Sequence, residues 1–184
     1  MNKQSKRVLG LFVRYFSLLL IGVGNLYIFY KFLTPLTIRS VSSILSIFSR
    51  VSTNANYIIF KGTIIHIVPA CVAGAAFFLL FLLLFSTAEI KPLKRFYALI
   101  TSLAILFIFN ILRIISLAYL IKTPYFQSVH WIFWHLLSTI LVVLIWIFII
   151  KIYKIKDIPV YSDIVYLKGL IKKPKEKTKR KKKH

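Results

Sequence analysis

Four long apolar blocks, separated by shorter polar segments, dominate the pattern of hydrophobic and polar positions. They cover residues 9–33, 70–88, 96–121 and 131–150. Each block is long enough to cross the ~30 Å hydrocarbon core of a bilayer as a helix. The pattern predicts an all-α fold, a polytopic membrane helical bundle of about four transmembrane helices, and argues against a soluble globular domain.

The segment between the first two blocks, residues 34–69, is rich in Ser, Thr and Asn and carries Arg39, Arg50 and Lys61. It is too polar to span a bilayer. In its first part, however, apolar residues recur near helical spacing, which predicts an amphipathic helix at the membrane interface. These positions are Leu36, Ile44, Leu45, Ile47, Phe48 and Val51.

The first apolar block follows a short basic start, as in a secretory signal peptide. Its length exceeds the ~7–15 residues of a cleaved apolar region, and no small-residue cleavage site follows. We therefore expect it to be a retained span.

Charge gives the predicted orientation. The chain has 26 Lys and Arg against four Asp and Glu, a net charge of +22. Cytoplasmic loops retain Lys and Arg, so the N-terminus and the C-terminal tail are both predicted inside. The outer side then receives five basic residues, Lys31, Arg39, Arg50, Lys61 and Lys122, and none of the four acids.

The same pattern divides the chain into a membrane-embedded domain, residues 1–156, and a basic cytoplasmic tail, residues 157–184. We expect this tail to be disordered, because from Lys168 onward it is low in complexity and lacks the apolar surface that a folded segment needs. No aromatic residue is interleaved in its last stretch, KKPKEKTKRKKKH. Anionic membrane lipids are therefore the expected partner of this tail, and nucleic acid is not.

The sequence gives no support to cofactor or metal chemistry. It has no glycine-rich phosphate loop and no His-x-x-x-His or Glu-x-x-His spacing. Its single cysteine, Cys71, excludes an internal disulfide and a cysteine-rich zinc site. We expect no cofactor and no metal.

Arg113 lies deep inside an apolar block, where a central arginine costs at least ~2.5 kcal/mol on insertion. Such a residue is a functional candidate, although it can also snorkel to the surface or bind a backbone carbonyl. Asn110 lies three residues earlier, on the same helical face. The predicted orientation places Arg113 toward the outer side.

Two further candidates are predicted at the outer side. Cys71 begins the second span among small residues, a setting that also suits plain helix packing. His130 opens the fourth span; His135 follows five residues later on another face and is the alternative, and His66 is a weaker candidate. Histidine, arginine and cysteine together can form a nucleophilic site, with a thiolate attacking a carbonyl.

These motifs resemble the exosortase and archaeosortase family of membrane cysteine transpeptidases, in a minimal-length form. The resemblance lies in VPACVAG around Cys71, NILR ending at Arg113 and VHWIFWH containing His130, over about residues 65–150. It implies Cys71 as nucleophile, Arg113 as stabiliser of the oxyanion or thiolate, and His130 as general acid and base.

The resemblance also implies a function. Such enzymes cleave the C-terminal sorting signal of secreted proteins, a short motif followed by a hydrophobic span and a basic cluster, at the outer face of the cell membrane. Transfer to a lipid-type acceptor is expected. The alternatives are a non-enzymatic membrane adaptor or transporter subunit with a lipid-binding tail, and a small-solute carrier in which Arg113 binds an anion.

Overall fold

The structure, a computed structural model, describes residues 3–24, 26–88, 90–134, 138–155 and 159–172. The chain is mostly helical, as the apolar blocks predict, and it also contains one small antiparallel sheet. The described elements are α1 (Lys3–Val23), α2 (Tyr27–Ser46), β1 (Val51–Asn54), β2 (Tyr57–Phe60), β3 (Thr63–His66), α3 (Pro69–Val72), α4 (Gly74–Phe85), α5 (Pro92–Leu120), α6 (Phe126–Ile132), α7 (Ser138–Ile152) and α8 (Tyr161–Lys172).

The first predicted span is two helices rather than one. The helical segments Val8–Val23 and Tyr27–Ser46 meet at an angle of 63°. The break follows a glycine-rich stretch with weak helix propensity, and Leu26 adopts a left-handed conformation with φ 56°. Helix α2 then continues through part of the predicted amphipathic segment. It buries one face, formed by Thr37, Ile38, Val41 and Leu45.

A three-stranded meander in the order β1-β2-β3 occupies the rest of that outer segment. The β2–β3 turn is Lys61-Gly62, and both residues have positive φ, 49° and 73°, as a two-residue hairpin turn requires. Ile58 and Phe60 point from β2 into the core. This sheet was not predicted from the sequence, because the overall polarity of the segment hid the alternation of apolar and polar residues within it.

The second predicted span is also broken near its start. Helices α3 and α4 are separated at Ala73, which has φ 59°. The ring of Tyr30 lies against Gly74, where an added Cβ would approach Tyr30 Cε1 to 2.6 Å. Glycine at this position therefore allows α2 and α4 to pack closely.

Helix α5 is the central element and corresponds to the third predicted span. It joins two hydrophobic clusters, one with α2, the sheet and α3, and one with α4 and α7. Among the described residues, α5 is the one unbroken helix that is long and apolar enough to cross a membrane. The bent pair α1–α2 meets the criterion together, while the apolar segments Gly74–Phe85 and Thr139–Ile152 are shorter. The predicted fourth span, 131–150, overlaps both α6 and α7.

Helix α8 forms part of the segment predicted to be a disordered tail. Its Asp163 is 4% exposed and accepts hydrogen bonds from Arg14 and Tyr15 of α1, the Tyr15 bond being 2.9 Å long. An ion pair with α1 thus holds residues 161–172 in place, a tertiary contact that composition does not reveal. Residues 173–184 of the predicted tail lie outside the described residues.

Candidate active site

A cavity of about 340 Å³ brings together the three residues that the sequence singled out. Cys71 of α3, Arg113 of α5 and His130 of α6 all line it. Strand β3 forms a further wall. Side chains from three helices thus meet at one space, as the sequence analysis expected, while their catalytic roles stay a prediction.

Local sequence accounts for the position of Cys71. Pro69 occupies the first turn of α3, where its missing N–H and fixed φ are compatible with a helix start. The amide of Cys71 donates to the Val68 carbonyl at 2.8 Å. Because Ala73 is left-handed, the helix stops directly after this turn. The thiol is free and partly exposed, on a short helix between two breaks.

The break after α3 leaves backbone carbonyls that cannot complete a helical ladder, since the last four carbonyls of a helix have no partner inside it. Asn110 Nδ2 donates to the Cys71 carbonyl at 3.0 Å and approaches the Val72 carbonyl at 3.4 Å. Arg113 Nη2 donates to the carbonyls of Ala70 and Cys71 at 3.2 and 3.1 Å. Two side chains of α5 therefore hold the bend that carries Cys71.

This contact refines the interpretation of Arg113. Backbone carbonyl binding was the alternative to a catalytic role, and the structure contains such contacts. They attach the guanidinium to the backbone of the candidate nucleophile itself. Asn110 is 4% exposed and lies on the same face, as the i, i+3 spacing predicts. Arg113 consequently positions Cys71 and also adds a cation to the cavity wall.

The histidines differ in their placement. His130 is partly buried in α6 and stacks on Phe126, with ring centroids 5.6 Å apart. His66, in β3, also lines the cavity and stacks on Tyr57 at 4.5 Å. His135, the alternative catalytic histidine, lies outside the described residues.

Sequence reasoning missed two parts of this site. One is strand β3, whose residues form a cavity wall next to Cys71. The other is a group of aromatic residues, Phe126, Phe133 and Trp134, that also line the cavity. The hairpin turn before β3 was a usable signal for the first part. None of the described residues that line the cavity is acidic.

The chemistry available in the cavity is therefore that of a thiol, two imidazoles and a guanidinium in an apolar surrounding. No family model, no curated protein and no solved structure matches this chain.

Proposed function

We propose that this chain is a membrane-embedded cysteine peptidase or transpeptidase, which cleaves the C-terminal sorting signal of secreted proteins at the outer face of the cell membrane. The observation that carries the proposal is the shared cavity of Cys71, Arg113 and His130. Acyl transfer by a thiol uses a nucleophile, a base and a group that stabilises the oxyanion, roles that cysteine, histidine and arginine can fill.

Exposed apolar side chains support a multi-pass placement in the bilayer. More than half of the surface of each of four large apolar residues is exposed: Phe12 66%, Phe32 69%, Ile108 58% and Leu144 56%. They come from four different helices. A water-soluble monomer rarely exposes so many large apolar groups, whereas lipid tails would cover them favourably. Helices α1 and α2, α4, α5 and α7 are the proposed membrane elements.

The contact between α1 and α8 supports the proposed orientation with both ends inside. Arg14, in the middle of α1, forms an ion pair with Asp163 of α8, so the first and last helices of the described chain are in contact. Arg95 lies close to this contact, since it lines a cavity together with Arg14. The basic residues of the tail would then face anionic lipids of the cytoplasmic leaflet.

In the proposed reaction, His130 accepts the thiol proton as Cys71 Sγ attacks the scissile carbonyl carbon. The resulting oxyanion is stabilised by the positive field of Arg113. The C–N bond then breaks, His130 returns the proton to the leaving amine, and a thioester remains on Cys71. An amine, hydroxyl or water nucleophile attacks that thioester, loses its proton to His130 and restores the thiol.

The substrate class follows from the resemblance to exosortases and archaeosortases. A substrate span lying beside the bundle would present its outer end at the level of the cavity, and the basic cluster would remain inside. A lipid-type acceptor is the proposed second substrate, reaching the thioester from the bilayer.

The experiment compares processing of a secreted reporter with such a tripartite C-terminus by wild-type and Cys71→Ala chains. We expect Cys71→Ala to abolish processing at an unchanged membrane level, and hydroxylamine to release the acylated wild-type intermediate. Ala75→Ser, an exposed site on the adjoining helix, is the matched control and should process normally. Full processing by Cys71→Ala would refute the proposal.

Orientation is tested separately, because Cys71 is the one cysteine of the chain. A membrane-impermeant maleimide should label it in intact cells. In a Cys71→Ala background, Ser52→Cys should also be labelled from outside, and Gly169→Cys only after lysis. A labelled Gly169→Cys in intact cells would contradict the proposed topology.

A further inference from the structure

Strand β3 is an edge of the sheet. The order β1-β2-β3 gives it one neighbour, β2. An edge strand presents backbone N–H and C=O groups on its open side, where another extended chain can pair with it. The orientation of these groups decides which residues are available.

The register identifies the open groups. Phe60 pairs with Thr63 across the two-residue turn, and Ile58 pairs with Ile65. The next residue in this alternation, Ile67, donates to the Asn56 carbonyl at 2.9 Å. Because antiparallel strands alternate between residues that bond the neighbour and residues that face away, the odd-numbered residues bond β2. The backbone groups of Ile64 and His66 therefore point away from the sheet.

The cavity runs along this open edge. Five successive residues, 64 to 68, all line it, and the first three of them, 64 to 66, belong to β3. Successive side chains of a strand point to opposite faces, so a cavity on one face would meet only every second residue. A cavity that meets all of them lies along the edge. Phe126, Phe133 and Trp134 also line this cavity, and Cys71 follows three residues after Val68.

We propose that an extended segment of the substrate polypeptide pairs with β3 as a fourth strand. Its backbone bonds the N–H and C=O groups of Ile64 and His66, and this pairing delivers the scissile carbonyl to Cys71. The inference rests on the proposed peptidase function and names how that site holds its substrate. Backbone hydrogen bonds give affinity that does not depend on the substrate's side chains. The apolar walls of the cavity select every second side chain of the substrate segment.

The open groups favour a peptide over a lipid chain as the occupant of this wall. Two donors and two acceptors alternate along one line, which an acyl chain cannot satisfy and a peptide strand can. Lys122 Nζ donates to the Lys61 carbonyl at 3.1 Å, so its ammonium group lies at the turn that precedes β3. This charge favours a substrate segment without excess positive charge.

The test measures alkylation of Cys71 by peptide chloromethyl ketones in the full chain in detergent. A library of acetylated tetrapeptide chloromethyl ketones is screened by mass spectrometry, and the fastest member is used with four proteins. These are the wild type, Ile64→Pro, His66→Pro and the control Thr53→Pro. Each proline removes one backbone N–H. The N–H of Thr53 points away from β2 at the opposite edge of the sheet, as those of Ile64 and His66 do at the β3 edge. None of the substitutions therefore removes a hydrogen bond to β2.

We expect Ile64→Pro and His66→Pro each to slow peptide labelling by about fivefold, the effect of one lost backbone hydrogen bond. Thr53→Pro should label like the wild type. Iodoacetamide, which needs no strand pairing, should label all four proteins equally. Peptide labelling that is equal in all four proteins would overturn strand addition and leave the cysteine function standing.

A second measurement protects the test against misfolded proline variants. The fastest probe is N-methylated at each amide in turn and used with the wild-type chain. Methylation at alternate amides should slow labelling, because only those amides face β3. Equal effects at all positions, or none, would overturn the inference. A wild-type thiol that reacts with no peptide probe faster than with simple chloroacetamide would refute peptide recognition and the peptidase proposal together.

Discussion

The hydrogen bonds from α5 to the Cys71 bend make a quantitative prediction about thiol reactivity. The Cys71 carbonyl accepts from both Asn110 and Arg113, at 3.0 and 3.1 Å. A net hydrogen bond contributes about 1 kcal/mol, and one from a charged donor about 1.5–3 kcal/mol. Weakening either bond raises the fraction of chains in which the bend is locally open.

Two variants separate the bonds. Asn110→Leu removes one donor at similar volume, and alkylation of Cys71 by a bulky maleimide should accelerate about fivefold. Arg113→Lys retains the charge, but the lysine ammonium ends one bond short of Nη2, the atom that donates to the carbonyls of both Ala70 and Cys71, so the substitution should accelerate alkylation about 10- to 100-fold. Ser116→Ala is the control, because its hydroxyl bonds only the carbonyl of Leu112 on its own helix.

The double variant tests whether the two donors act on one acceptor. While either donor remains, the Cys71 carbonyl keeps a partner; when both are lost, a polar group in an apolar interior is left without one. The combined effect should therefore exceed the product of the single effects by at least about twofold. The assay is the pseudo-first-order maleimide rate in detergent, followed by mass. Unchanged rates in Arg113→Lys, or strictly multiplicative effects, would refute the shared support of the bend.

Further predictions concern packing, the α1–α8 contact and the base. Gly74→Ala should lower the thermal midpoint of unfolding, because overpacking against Tyr30 costs about 1–3 kcal/mol in the free energy of unfolding. Gly10→Ala should not lower it, because the space around its added Cβ is open. Asp163→Asn should expose the α8 segment to limited proteolysis, because the ion pair to α1 is lost; unchanged cleavage would contradict its anchoring role. His130→Gln should reduce reporter processing at least about 100-fold with iodoacetamide labelling of the thiol retained, and normal processing would exclude it as the base.

The helical elements could largely be predicted from the sequence, and their interruptions could not. Apolar length is a local property, and it identified the regions of α1–α2, α4, α5 and α7. The break at Ala73 depends on distant partners: Asn110 and Arg113 hold the carbonyls that it exposes, and Tyr30 fills the space beside Gly74. A single sequence does not show which side chains will meet such a break.

The sheet is a different case, because its signals were local. The Lys61-Gly62 turn stands between segments of alternating burial, and Asn56 stands in the preceding turn. Hairpins of this kind can be recognised from turn residues flanked by β-branched residues. For residues 34–69, the helical spacing of the first part and the overall polarity led to the prediction of an interfacial helix, and no strand was predicted.

The site itself was predicted as a set of residues but not as a geometry. Cys71, Arg113 and His130 were placed at one level by charge-based orientation, and they line one cavity. Spacing also placed Asn110 beside Arg113. The direction of the Arg113 guanidinium could not be predicted from the sequence, because it depends on the carbonyls that the bend leaves without helical partners.

The bend at Ala73 is the strongest argument against a passive role for this chain. A left-handed alanine costs about 1–2 kcal/mol, and the interruption exposes carbonyls that an unbroken helix would satisfy internally. A buried asparagine and an arginine, each with its own burial cost, hold the break next to Cys71, which lines the cavity. Strain kept in place by dedicated side chains is typical of sites whose geometry matters for function, so the bend adds support to the proposal that the shared cavity carries.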